Sequence, residues 1–134
     1  MIKVVLDTNV IIAAFVARGL SNSVFELCLD KFEVITSEFI IKEISKKLID
    51  KIKIPQKRVN EIIDFLKEFC SIVSYEKICR DQKDDEILAL AKNSNSKYIV
   101  TGDKDMLVLE NFGGIRIINP RQLWEISKDM GLYD

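Results

Sequence analysis

Apolar residues fall in short runs divided by polar or turn-forming positions, and the runs alternate between two periods. Ile2 to Leu6 is mainly β-branched and ends at Asp7, the pattern of a strand buried on both faces of a parallel sheet. Val10 to Ala17 is apolar nearly all round and stops at Gly19, which predicts a buried helix closed by a left-handed glycine. Ser23 with Glu26 three residues on forms a capping-box pattern before Leu27, Cys28 and Leu29, the start of a second helix. Glu33 to Thr36 predicts a second strand. Ser37 then caps a helix whose Ile40, Ile44 and Leu48 fall at four-residue spacing.

Pro55 opens a further helix at its first position, with Val59, Ile62, Ile63, Leu66 and Phe69 as its apolar stripe. Cys70 to Val73 reads as a third strand, followed by a polar loop from Tyr75 to Lys83. The helix from Asp84 to Lys92 places Ile87, Leu88 and Ala91 on one face and ends at Asn93-Ser94-Asn95. Tyr98-Ile99-Val100 is a fourth strand, broken at Thr101-Gly102-Asp103, with a short helix from Asp105 to Leu109. Ile115 to Ile118 is a fifth, and Pro120 starts a last helix carrying Leu123, Trp124 and Ile126. Strands alternating with helices predict an α/β fold: a parallel sheet of five strands, covered on both sides and joined by right-handed crossovers.

The chain length of 134 residues suits one core, so a single domain spanning 1–134 is expected. Hydrophobic residues make up 48% and charged residues 31%, too apolar for a disordered chain. The 20 Lys and Arg against 21 Asp and Glu give a net charge of -1, which excludes a chain-wide positive field; any nucleic-acid contact must be local. Histidine is absent. That removes Ser-His-Asp and Cys-His catalysis, imidazole bases and His-ligated zinc. Cys28, Cys70 and Cys79 are widely spaced, so they read as buried or idle thiols in a reducing cytosol. The N-terminal segment turns polar at Asp7, too soon for a signal peptide, and no apolar run nears the ~20 residues of a membrane span. The expected localisation is cytoplasmic.

In open α/β sheets, sites form beyond the carboxyl ends of the strands, and the polar residues expected there are mostly carboxylates. Asp7 follows the first strand; Asp103 and Asp105 follow the fourth; Glu43 lies in a helix after the second; Asp84 and Asp85 start the helix before the fourth. Like charges converging in a cleft repel, and oxygen-bound divalent cations relieve that repulsion. Without histidine, Mg²⁺ or Mn²⁺ fits better than zinc. Such a site suits phosphodiester hydrolysis by a metal-activated water. The preferred ligands are Asp7, Glu43, Asp85 and Asp103, with Asp105 and Asp84 as further members. Each acid taken singly has another reading. Asp84 and Asp85 suit a helix dipole, Asp103 suits a turn, and Glu43 suits a solvated helix face. Asp7, directly after an apolar run, must find a donor, a cation or water.

Four segments together resemble the PIN-domain family, and within it the compact bacterial and archaeal toxin components of toxin–antitoxin pairs. They are Val4 to Val10, Ser37-Glu38 through Glu43-Ile44, Arg80 to Asp85 followed by Leu88 to Ala91, and Ile99 to Asp105. The resemblance implies a three-layer α/β/α sandwich and an Mg²⁺- or Mn²⁺-dependent ribonuclease. It puts catalytic, metal-binding carboxylates at Asp7, Glu43, Asp85 and Asp103, with Asp105 nearby and Asp84 an alternative to Asp85. Thr8, Asn9, Ser37 and Thr101 look like the polar residues that orient those acids. The resemblance also implies a protein antitoxin and a homodimer or higher oligomer. Gln82 stands where close relatives often carry proline, a departure that alters the loop more than the chemistry.

Residues 46–58 hold six cations, Lys46, Lys47, Lys51, Lys53, Lys57 and Arg58, against Asp50 alone. Beginning one turn after Glu43, they offer an RNA-phosphate contact or, with Ile52 and Ile54 interleaved, a seat for a partner helix; a solvated helix end reads the same way. Two other functional classes compete. A non-catalytic protein-binding module on the same fold stays open. A phosphorylation-controlled receiver would need an acceptor Asp after the third strand, where the chain reads Val73-Ser74-Tyr75.

Overall fold

The computed structural model describes residues 1–17, 19–74 and 83–132, with the backbone alone for 83–85. Strand β1 (Lys3–Leu6) leads through helices α1 (Thr8–Val16) and α2 (Leu20–Lys31) to β2 (Glu33–Thr36). Helices α3 (Glu38–Asp50) and α4 (Gln56–Phe69) return the chain to a short edge strand, β3 (Ser71–Ile72). Helix α5 (Lys83–Ser94) feeds β4 (Tyr98–Val100), and α6 (Lys104–Leu107) precedes the hairpin of β5 (Asn111–Phe112) and β6 (Ile115–Ile118). Helix α7 (Pro120–Asp129) follows.

The strands form one sheet in the order β3-β2-β1-β4-β6-β5. All neighbours are parallel except β5 with β6. The chain therefore leaves β1 toward β2 and β3, then crosses back to β4 on the other side of β1. Right-handed crossovers in opposite directions put α1 to α4 and α5 on opposite faces, which makes the three layers. Val4, Val5, Leu6, Ile99 and Val100 are fully buried at the centre, as central strands covered on both faces require. No single described helix is long and apolar enough to cross a membrane.

Four details differ from the sequence expectation. The sheet has six strands, not five. β5 pairs antiparallel with β6 through Phe112↔Ile115, and two residues make no visible hydrophobic run. Gly113 and Gly114, at φ +56° and +87°, form the two-residue turn whose positive φ values match strand twist. Gly19 does not close α1. It precedes α2 at φ +138°, while Ala17 caps α1 in extended conformation. Helix α2 starts at Leu20, whose side chain packs on the core, so Ser23 lies inside the helix and its N–H bonds to the Gly19 carbonyl at 3.1 Å. The capping-box pattern there is unused. Pro55 takes the N-cap position of α4 rather than its first helical one.

Candidate active site at the carboxyl ends of the central strands

The strand order reverses between β1 and β4, and the loops that follow these two strands leave in opposite directions. A crevice opens at such a switch point. Asp7 follows β1 and Thr101 follows β4. The backbone holds them in register: the Asp7 N–H donates to the Val100 carbonyl at 2.9 Å, and the Thr101 N–H to the Ile118 carbonyl at 2.9 Å. Asp7 is 1% exposed and is the N-cap residue of α1, although its side chain does not cap that helix. Its Oδ2 instead accepts a hydrogen bond from the Thr101 hydroxyl at 2.8 Å.

Thr101 serves two acids at once. Its Oγ1 also accepts from the Asp103 N–H at 3.0 Å, which fixes the backbone of the third residue after β4. The Asp103 Oδ1 in turn accepts from the Asp105 N–H at 2.9 Å and caps α6. Asp105 is exposed in the first turn of that helix. On the other side, the buried Thr8 hydroxyl donates to Oε1 of Glu43 across from α3. Adjacent residues Asp7 and Thr8 thus each contact a different element, and two threonine hydroxyls join one corner of the sheet, donating to Glu43 and Asp7 and accepting from the Asp103 N–H.

The remaining residues divide. Asn9, expected to orient an acid, accepts through Oδ1 from the Lys47 ammonium at 3.2 Å. Ser37 spends its hydroxyl on capping α3, accepting from the Ile40 N–H at 3.3 Å. Asp84 and Asp85 lie in the first turn of α5, and their side chains fall outside the described residues, as do the whole of Tyr75 to Gln82. Of the six cations, Lys47 is half-buried, whereas Lys46, Lys51, Lys53, Lys57 and Arg58 are exposed. They span the end of α3, the loop after it and the start of α4.

Two residues passed over in the sequence belong in this picture. Glu86, next to the acid pair on α5, is buried. Thr36 ends β2 beside the cluster, 1% exposed, and its hydroxyl has no hydrogen-bond partner among the described residues. The available signal was positional. β2 closes on Thr36, β4 is followed at once by Thr101, and β1 by Asp7 and Thr8.

The donor set is oxygen throughout, which suits a hard divalent cation. Among the described residues, no three acidic or thiol side chains gather closely enough to hold an ion alone. Away from the cluster, Cys28 on α2 and Cys70 after α4 are buried. Burial, and then the proximity of Cys70, pushes the Cys28 thiol up to about 12. Burial alone does the same for Cys70, also to about 12. Both stay protonated and unreactive near neutrality.

Comparison with known proteins adds the family. A model described as PIN domain matches residues 3–105. An uncharacterized protein of Methanocaldococcus jannaschii is 33% identical over 119 residues, covering 82% of this chain and 76% of that one. Among solved structures, VapBC2 from Rickettsia felis, bound to a DNA fragment from its promoter, matches with a TM-score of 0.65 at 13% identity. That match covers 88% of this chain and 98% of the other. DNA-bound VapBC from Salmonella typhimurium matches with a TM-score of 0.62 at 17% identity, over 90% and 99%. At such identities these two likenesses concern the fold.

Proposed function

The chain belongs to the PIN-domain family, and from that premise we propose that it is a divalent-metal-dependent endoribonuclease, the toxin of a toxin–antitoxin pair. The observation that carries this reading is the hydroxyl-tied set of acids at the switch point: Glu43 on Thr8, and Asp7 on Thr101, which also anchors the Asp103 backbone. Burying a carboxylate at the end of a central strand costs desolvation, a cost that a ligand role at this site accounts for.

Asp7, Glu43, Asp85 and Asp103 would hold Mg²⁺ or Mn²⁺, with Asp105 or Asp84 as an added ligand. When bound, that ion supplies an activated water and offsets charge on the departing oxygen. The chain's own part is to hold the acids still. Thr101 fixes Asp7 and the loop bearing Asp103 by one hydroxyl, so the two acids move as a unit. Thr8 keeps Glu43 turned toward β1 rather than solvent. Supporting bonds of this kind are commonly worth roughly 10–100-fold in activity. The exposed Lys46, Lys51, Lys53, Lys57 and Arg58 draw the RNA backbone toward the acids. The fold shared with chains of VapBC complexes supports a protein antitoxin as partner. We further assign the protein to the cytoplasm, as one domain over residues 1–134 and as a homodimer or larger assembly.

The test uses purified protein, free of any bound partner, with a mixed pool of end-labelled RNAs under Mg²⁺, Mn²⁺ or EDTA, beside Asp7→Asn. That substitution keeps shape and the acceptor for Thr101 while removing a charge. Metal-dependent cutting lost in Asp7→Asn is the expected result. No cutting by a folded, metal-binding wild type would leave the non-catalytic binding module in its place.

A further inference from the structure

Lys47 and Glu43 stand four residues apart on α3, one above the other on the same face. Their side chains reach consecutive residues at the start of α1. Glu43 takes the Thr8 hydroxyl, and Lys47 takes the Asn9 amide oxygen at 3.2 Å. An ammonium only donates and an amide oxygen only accepts, so the direction of the second bond is fixed by chemistry. The double contact makes α3 and the first turn of α1 one unit, with a carboxylate and a cation presented one helical turn apart. The neighbouring cations differ: Lys46 and Lys51 are exposed, whereas Lys47 is half-buried.

This arrangement has a use at an acidic site. A phosphodiester approaching several carboxylates meets repulsion, and long-range attraction by mobile lysines brings it near without fixing where it stops. A lysine already held by a neutral amide has lost part of its rotamer freedom before the ligand arrives. Asn9 holds the ammonium without adding negative charge. We propose that Lys47, steadied by Asn9, is a specificity-determining residue that seats the phosphate beside the scissile bond and so sets the register of single-stranded RNA on the acids. The inference rests on the ribonuclease reading and separates Lys47 from the diffuse basic segment in which it lies.

The experiment measures binding of a fluorescent single-stranded 12-nucleotide RNA in EDTA across a salt series, and maps cut sites with metal present. The proteins are wild type, Lys47→Met, Lys47→Arg, Asn9→Ala and, as a control away from the basic segment, Lys128→Met on the exposed side of α7, with thermal melts to confirm folding. Lys47→Met is expected to weaken binding about tenfold, the scale of one positioned charge-assisted contact, and to scatter the cut sites. Lys47→Arg restores most of the affinity, Asn9→Ala loses roughly threefold, and Lys128→Met changes binding less than about twofold. Equal losses in Lys47→Met and Lys128→Met, with cut sites unchanged, would overturn the assignment while leaving the ribonuclease intact. A wild type that neither binds nor cuts RNA removes the ribonuclease reading, and this inference falls with it.

Discussion

The corner of the sheet at Asp7 and the basic segment from Lys46 to Arg58 are two charged regions singled out by the sequence, and they are built differently. At the corner, three acids are tied: Asp7 to Thr101, Glu43 to Thr8, Asp103 to its own helix start. In the basic segment, five of six cations lie open to solvent. Lys47 crosses the divide, since its neighbours along the chain are loose while its bond to Asn9 joins it to the corner. Sequence proximity groups charges by composition, whereas the partner of each charge shows what it is for. Tied charges act through geometry and tolerate little change. Loose ones act through the summed field and tolerate much.

The sharpest break in this contrast is Glu43→Gln. It keeps an acceptor for Thr8 but removes a ligand charge, and we predict loss of metal-dependent cleavage of more than about 100-fold, above the range typical of a supporting residue. Thr101→Val comes next. It removes the donor to Asp7 and the acceptor for the Asp103 N–H, with an expected cost of about 1–3 kcal/mol in stability and roughly 10–100-fold in rate. Denaturant melts and kinetics measure the two parts separately; a Val variant as stable and active as wild type would mean the hydroxyl holds nothing.

Smaller still is the combined replacement of Lys46, Lys51 and Lys53 by Ala. Each lost phosphate contact flattens the salt slope of single-stranded RNA binding by about 0.7, with cut sites unmoved. An unaltered slope assigns those lysines to another surface.

A separate effect, confined to alkaline pH, lies far from both regions. Cys28 and Cys70 have thiols raised from 9.0 to about 12 in the folded protein. Between those values the unfolded chain has released protons that the folded one keeps. Stability contributed by the neutral thiols is therefore whole below about pH 9 and falls as pH climbs toward 12. Melts from pH 8 to 11 read this, and Cys28→Ala should flatten the decline.

Much of this is legible in the sequence. The central strands showed themselves because Val4 to Leu6 and Tyr98 to Val100 are apolar on both faces, and a carboxylate directly after the first of them has few bland explanations. What stayed hidden depended on contacts. A two-residue strand such as Asn111–Phe112 has no periodicity, and only its Gly-Gly turn marks it. The start of α2 was displaced because Leu20 finds the core, which outweighs a capping pattern at Ser23. The pairing of Asn9 with Lys47 joins residues 38 apart in sequence, and nothing local to either predicts it. In the sequence Thr36 shows only as the end of a strand, because burial of its hydroxyl is a property of the assembled sheet.

The central claim is that the tied acids at the end of β1 and β4 form a divalent-cation site. Calorimetric titration of the partner-free protein with Mn²⁺, repeated on Asp7→Asn with folding checked by thermal melt, tests it without reference to any RNA. The account predicts saturable binding by the wild type that is lost or weakened at least about tenfold in Asp7→Asn. Equal Mn²⁺ affinity in the two proteins, or none in either, would contradict it.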